Sequence, residues 1–152
     1  MNSKIGLTNE IIESFLEKEY NIKNLKTVIH KKTLSTSTSK YRELSDIPNS
    51  NLFIFRPEYF IIYENENKLE NVIVNFSKSS IGLKPLSYAQ LQSQIANSSK
   101  SVYISTKGLS HDLYNILFSN PGIENDLLSY NDKKIELYRF NLDDLSFYKE
   151  EI

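Results

Sequence analysis

The stretch that decides the fold is RPEYFIIYENENKLENVIVNFSK, which runs from Arg56 to Lys78. Two apolar runs, Tyr59 to Tyr63 and Asn71 to Phe76, flank the polar residues ENENKLE, and this composition is typical of two strands joined by a turn. Proline has no N–H to donate to a ladder, so Pro57 predicts a bulge or a sheet edge within a longer strand, Asn51 to Tyr63. The second run is apolar at most positions, which predicts a strand covered on both faces.

Helices and further strands are predicted on both sides of this hairpin. Thr8 is the expected N-cap of the first helix, and Tyr88, Leu91 and Ile95 form the apolar stripe of the second. The predicted elements are, in order, helix Asn9–Tyr20, strand Leu25–Thr33, the two hairpin strands, helix Ser87–Ser98, strand Ser101–Ser105, helix Ser110–Ser119, strand Ile135–Phe140 and a short helix Leu142–Glu151. This order predicts an α/β (α+β) fold in a single domain, 1–152, with a central mixed β-sheet of about five strands flanked by helices.

Composition excludes several classes of protein. The chain has 152 residues and no cysteine, so it has no disulfide and no thiolate metal site, which fits a cytoplasmic protein. No run of apolar residues is long enough to span a membrane, and the start MNSKIGLTNE lacks a secretory signal, so no membrane partner is expected. The two histidines, His30 and His111, have no second ligand at a spacing typical of zinc sites.

The basic side chains are unevenly distributed, although the net charge is only −1. The segment from Asn21 to Arg42 holds six basic residues and no acidic one, whereas acids prevail in the last third of the chain. A nucleic acid would be attracted to the basic segment through its phosphates. The plainer interpretation is a solvated strand and loop. The basic residues are Lys23, Lys26, Lys31, Lys32, Lys40 and Arg42.

The hairpin also carries a pattern of polar residues that resembles the PD-(D/E)xK superfamily, which has the restriction-endonuclease-like fold. The order helix, three strands, helix, strand matches the core of that fold. Pro57-Glu58 stands where the superfamily typically has Pro-Asp. Asn75-Phe76-Ser77, followed by Lys78, stands where it has acid-any-Lys. The following helix often carries glutamines in the superfamily, and here it holds Gln90, Gln92 and Gln94.

The resemblance implies a metal-dependent nuclease centre, and this chain departs from its pattern. In the superfamily two carboxylates hold Mg²⁺ or Mn²⁺, and a lysine orients the attacking water. Glu58 supplies one carboxylate and is the expected metal ligand, but the Asn75 amide is neutral and Ser77 occupies the lysine position. Lys78 comes one residue late, on the opposite face of a regular strand unless a bulge follows Asn75. The plainer interpretation is a surface acid and a hydrogen-bonded strand residue. An acid from elsewhere is the alternative second ligand, with Glu19, Glu64 and Glu70 as candidates.

Three functions remain open from the sequence. The first is a nucleic-acid-binding protein with a degenerate catalytic centre, which binds DNA rather than RNA through the basic segment, Arg56 and Gln90. The second is an active Mg²⁺- or Mn²⁺-dependent DNA nuclease that uses Glu58, Asn75 and Lys78. The third is a small protein of a virus, plasmid or other mobile element that binds a host protein or a second copy of itself, with the acidic C-terminal third as its contact surface.

Overall fold

A computed structural model describes residues 7–30 and 57–152. Helices and strands alternate along them much as the sequence predicts. The elements are α1 Asn9–Tyr20, β1 Leu25–His30, β2 Tyr59–Asn65, β3 Lys68–Ser77, α2 Leu83–Ala96, β4 Lys100–Ser105, α3 His111–Ser119, α4 Ile123–Leu128, β5 Ser129–Tyr130, β6 Lys133–Lys134, β7 Glu136–Asn141 and β8 Ser146–Lys149.

The central sheet is mixed and has six strands, in the order β1-β2-β3-β4-β7-β8. β1, β2 and β3 pair antiparallel, β3 pairs parallel with β4 and β4 with β7, and β8 returns antiparallel to β7. Each parallel pair is joined through helices, since parallel strands need a crossover connection. The predicted α+β class with a helix-flanked mixed sheet is confirmed, with six strands where about five were expected.

The hairpin β2–β3 is the centre of the described fold. Asn65 pairs with Lys68, so the connection is only two residues long, and Glu66 and Asn67 both have positive φ, 52° and 67°. Such two-residue turns match the twist of the flanking strands. Strand β3 therefore starts at Lys68, three residues before the predicted start at Asn71.

The sheet separates two apolar layers because alternate residues of each strand point to opposite faces. One layer packs α1 against the sheet, and its α1 residues Ile12, Phe15 and Leu16 are buried as the helical stripe predicts. The other layer packs α2, α3 and α4 on the opposite face. The first layer contains Tyr59, Ile61, Val72, Val74, Val102, Ile104, Tyr138 and Phe140, and the second contains Leu86, Ala89, Tyr103, Leu113, Leu117 and Leu137.

Helix α2 packs with a different face from the predicted one. Tyr88 and Leu91 are exposed, and the buried face instead contains small and polar residues. This face also contains Leu86, which is fully buried, and Ser93, whose Oγ lies 2.6 Å from Ser101 Oγ of β4, a contact that requires a close approach of helix and sheet. The helix also begins at Leu83 rather than Ser87, since a proline such as Pro85 is tolerated in a first helical turn.

Two further predictions about strands and helices need correction. The predicted C-terminal helix, Leu142–Glu151, is wrong, because residues 146–149 form strand β8. The Asp144 carboxylate accepts hydrogen bonds from the N–H and hydroxyl of Ser146, and Leu145 has a φ of 57°, so the chain turns instead of starting a helix. Pro57 lies before the described ladder, because β2 begins at Tyr59, and the described register shift is in β1, between Leu25 and Thr27. Residues 51–56 of the predicted long strand lie outside the described residues.

Candidate functional site

Glu58 and Asn75 occupy neighbouring positions at one end of the hairpin. Tyr59 pairs with Val74, the last pair of the β2–β3 ladder, so Glu58 and Asn75 each directly adjoin that pair in the sequence. The two residues therefore lie at the same end of the hairpin, but their side chains have different partners.

The Glu58 carboxylate is engaged by a histidine. Its Oε2 lies 2.9 Å from Nε2 of His30, and the side chains of the pair are 12% and 22% exposed. The His30 ring in turn packs edge-on against the ring of Tyr59, with the ring centroids 4.9 Å apart. Burial, and next the Glu58 charge, raise the pKa of Tyr59 to about 12, so this hydroxyl stays protonated at neutral pH. Sequence reasoning had no signal for His30 as the partner of Glu58, because 28 residues separate them.

Asn75 faces the helical layer on the other side of the sheet. Its Nδ2 donates to Oε1 of Gln92 in α2 at 2.9 Å, and Gln92 is 3% exposed. Of the glutamines in this helix, Gln92 is therefore the one that reaches Asn75. Gln90 has a structural contact instead, since its Nε2 donates to the carbonyls of Asp126 and Ser129 at 2.8 and 2.6 Å and so ties α2 to α4.

Lys78 lies outside the ladder. The register of β3 with β4 is unbroken from Val72 to Ser77. This part of β3 therefore has no bulge after Asn75 that would turn the Lys78 side chain to the face of Asn75. Lys78 is exposed in the loop that follows β3, and its carbonyl accepts a hydrogen bond from Thr106 Oγ1. Ser77 stands at the lysine position of the motif, and its hydroxyl contacts Ser79.

Two of the acids considered as replacement ligands lie at the opposite end of the hairpin. Glu64 pairs with Lys26 at 3.3 Å, and Glu70 accepts a hydrogen bond from Tyr63 at 2.6 Å. With a rise of about 3.3 Å per residue, they are about 17–20 Å from Glu58 along the strands. The third, Glu19, is exposed on α1. Among residues 7–30 and 57–152, no three carboxylate or imidazole side chains are grouped in a way that suits a metal ion.

The basic residues of the candidate interface are only partly described. Lys23 and Lys26 are exposed, but they lie before β1 and near its start, whereas Glu58 contacts His30 at its end. The Lys26 charge is also partly neutralised by its ion pair with Glu64. The other predicted phosphate contacts, Lys31, Lys32, Lys40, Arg42 and Arg56, lie outside the described residues.

A second polar cluster joins the end of α1 to β7 and β8. The Tyr20 hydroxyl donates to Glu136 and contacts the Tyr138 hydroxyl at 2.8 Å, and Lys149 Nζ lies 3.0 Å from the other Glu136 oxygen. Burial raises the pKa of Glu136, but the hydrogen bonds from Tyr20 and Lys149 outweigh it, so the pKa lies below its ordinary value. Burial and the Glu136 contact raise the pKa of Tyr20. Tyr20 is more than 100 positions from Glu136 and Tyr138 in the sequence, and no sequence pattern connects them.

Comparison of the chain with models of known families, with curated proteins and with solved structures found no match. In the described residues, no helix combines the length and the apolar character that crossing a bilayer requires.

Proposed function

We propose that this protein binds nucleic acid at the end of the sheet that carries Glu58, and that its nuclease-like centre is degenerate. The observation that supports the proposal is the register of β2 with β3. Tyr59 pairs with Val74, so Glu58 and Asn75 both adjoin this last pair, at the sequence positions that correspond to the two acidic ligands of the resembled superfamily. The described order of helix, three antiparallel strands, helix and parallel strand supports the same proposal.

Charge in the neighbouring sequence supports a polyanionic partner. His30, which contacts Glu58, is followed in the sequence by Lys31 and Lys32, and Arg56 precedes Pro57 at the start of the hairpin. Each lysine or arginine that contacts a phosphate releases condensed counterions, and this release drives most of the affinity for nucleic acid. Three basic residues thus lie within three positions in the sequence of the β1 and β2 ends at the candidate site.

Binding without cleavage follows from the chemistry of position 75. A single carboxylate, Glu58, is a poor site for a hard divalent cation, which prefers several oxygen ligands of which some are charged. The neutral Asn75 amide already donates to Gln92, and Lys78 lies beyond the strand rather than beside Asn75. The groups that would activate a water and stabilise the charge that develops on a phosphate are therefore incomplete in the proposed centre.

The proposal is tested by the salt dependence of duplex DNA binding. We expect Lys31→Ala/Lys32→Ala to lower the slope of log affinity against log salt by about two units, since each lost phosphate contact reduces it by about one. The matched control is Lys133→Ala/Lys134→Ala, which also removes two consecutive lysines, both exposed in β6. Equal slopes for the wild type and the Lys31/Lys32 variant would remove the basic segment from the interface.

The two alternatives appear as other outcomes of the same assays. If the wild type cleaves the DNA in the presence of Mn²⁺ and a folded Glu58→Ala variant does not, the protein is the nuclease of the second function. No binding to DNA or RNA at low salt, together with a defined protein partner, would favour the third function.

A further inference from the structure

A row of cations, which includes Lys78, lies at the carboxyl-terminal edge of the parallel strands. Ser77, Ser105 and Arg139 are Cα partners across β3, β4 and β7, where neighbouring strands are about 4.8 Å apart. Lys78 directly follows Ser77, and Lys107 comes two residues after Ser105. The loops that carry these lysines touch, because Thr106 Oγ1 donates to the Lys78 carbonyl at 2.9 Å.

A surface depression of about 460 Å³ adjoins this row. Its volume falls in the range of about 300–1,000 Å³ that is typical of small-molecule sites. Arg139 and Tyr148 are Cα partners in the β7–β8 ladder, so their side chains lie next to each other on the same face of the sheet. The depression is lined by Arg139, Asn141, Tyr148, Lys149 and Glu150.

The lysine loop reaches this depression through Gly108. The positive φ of Gly108, +76°, turns the chain directly after Lys107. A Cβ atom at Gly108 would lie 3.0 Å from Glu150 Oε2 and 4.0 Å from Arg139 Cδ, so the backbone of this loop approaches both lining residues closely. The row of cations and the depression therefore form one continuous surface.

Three cations of this surface, Lys78, Lys107 and Arg139, differ from the described lysines that form ion pairs. Lys26 pairs with Glu64, and Lys149, which also lines the depression, pairs with Glu136. Within residues 7–30 and 57–152, Lys78, Lys107 and Arg139 form no ion pair, and all three are exposed. Their charges are thus available to an anion. Tyr148 presents an aromatic face beside them and is 52% exposed.

We propose that this surface binds one nucleotide unit of a single-stranded nucleic acid, with the base stacked on Tyr148 and the flanking phosphates on Arg139 and Lys107. The inference deepens the proposed function and rests on it. A single strand is the occupant because its base faces are open to stacking on an aromatic ring, whereas the bases of a duplex stack on each other. An arginine next to an exposed tyrosine supplies the two contacts, ionic and stacking, that such proteins combine.

The experiment measures the affinity of fluorescein-labelled oligo(dT) and oligo(rU), each about 12 nucleotides long, by fluorescence anisotropy. We expect Tyr148→Ala to weaken binding about ten-fold, since stacking is worth about 1–3 kcal/mol per base, and Tyr148→Phe to stay within about two-fold of the wild type. The matched control is Tyr114→Ala, because Tyr114 is also a 52% exposed tyrosine, on α3.

Salt dependence separates the two contacts. We expect Arg139→Ala and Lys107→Ala each to lower the salt slope by about one unit, because each removes a phosphate contact. Tyr148→Ala should weaken binding with the slope unchanged, since stacking releases no counterion. Glu150→Gln should strengthen binding, because it removes the acid that borders Arg139.

The inference would be overturned if Tyr148→Ala and Arg139→Ala both bind the oligonucleotides as tightly as the wild type. It would also be overturned if Tyr114→Ala loses as much affinity as Tyr148→Ala. If those variants bind normally while Lys31→Ala/Lys32→Ala binds more weakly, this site fails and the proposed function stands. If the wild type binds no nucleic acid at low salt, both fail. Displacement of the oligonucleotide by free ADP at an equal nucleotide concentration would assign the depression to a mononucleotide instead of a strand.

Discussion

Replacing Asn75 with aspartate tests whether the Glu58 end of the sheet is a degenerate metal centre. Tyr59 and Val74 are the last pair of the β2–β3 register, so Glu58 and position 75 both adjoin that pair at one end of the hairpin. Two carboxylates that approach each other there can share a divalent cation through oxygen ligands at about 2.0–2.6 Å. We therefore expect Asn75→Asp to bind Mn²⁺ and the wild type to bind it far more weakly.

When no metal is bound, the Asn75→Asp substitution should lower the stability of the fold. Asn75 Nδ2 donates to the buried Gln92 at 2.9 Å, and an aspartate at neutral pH has no proton to donate. Loss of the bond costs about 1–3 kcal/mol, and for a domain of this size each kcal/mol lowers the melting temperature by about 2–4 °C. If Mn²⁺ is present at about 100 times its dissociation constant, its binding raises the free energy of unfolding by about 2.7 kcal/mol, which offsets most of that loss of stability.

The assay is thermal unfolding followed by circular dichroism, with and without Mn²⁺. Asn71→Asp is the matched control, since Asn71 lies on the same face of β3, about 13 Å from position 75, and also donates its amide to α2, through the Ala96 carbonyl at 3.0 Å. We expect Mn²⁺ to raise the melting temperature of Asn75→Asp and not that of Asn71→Asp, and Glu58→Ala to cancel the gain. An equal response of the two aspartate variants would refute the shared-ligand geometry.

Two further predictions concern the C-terminal hairpin. Phe147 stacks on Phe140, with the ring centroids 4.7 Å apart, so Phe147→Ala should lower the free energy of unfolding, measured in urea, by about 2–4 kcal/mol. Tyr148 is the next residue and is exposed, so Tyr148→Ala should change this free energy by less than about 0.5 kcal/mol. Equal losses in the two variants would contradict the placement of β8. The lowered pKa of Glu136 means that its contribution to stability is complete above the unfolded-state pKa and is lost as the pH falls through the folded-state pKa. In Glu136→Gln the urea concentration at the unfolding midpoint should therefore decrease less steeply below about pH 4.5 than in the wild type. An unchanged pH dependence in this range would rule out the role of Glu136.

Local sequence signals predicted most of the secondary structure. Thr8 accepts a hydrogen bond from the N–H of Ile11, and the helix runs from Asn9 to Tyr20 as its cap and apolar stripe predict. Ser110 caps α3 in the same way, with the Leu113 N–H as donor. These signals succeed because a cap and an apolar periodicity act over three or four residues, within one element.

Local signals failed where the deciding partner lay far along the chain. The apolar stripe of α2 predicted that Tyr88 and Leu91 are buried, but the face that contains Leu86 and Ser93 packs against the sheet instead. The predicted helix at the C-terminus is strand β8, whose Phe147 packs on Phe15 of α1, at the other end of the sequence. Contacts between separate elements outweigh modest local propensity, and they are invisible in any short window.

The sequence by itself determined the α+β class and the β2–β3 hairpin, because two apolar runs joined by a short polar turn leave an antiparallel hairpin few other registers. Only the tertiary structure decided the side-chain partners at the end of this hairpin, His30 for Glu58 and Gln92 for Asn75. It also decided that Lys107, Arg139 and Tyr148 lie at the same edge of the sheet. The physical reason is that parallel strands from distant parts of the chain end side by side, and no local pattern records which side chains meet there.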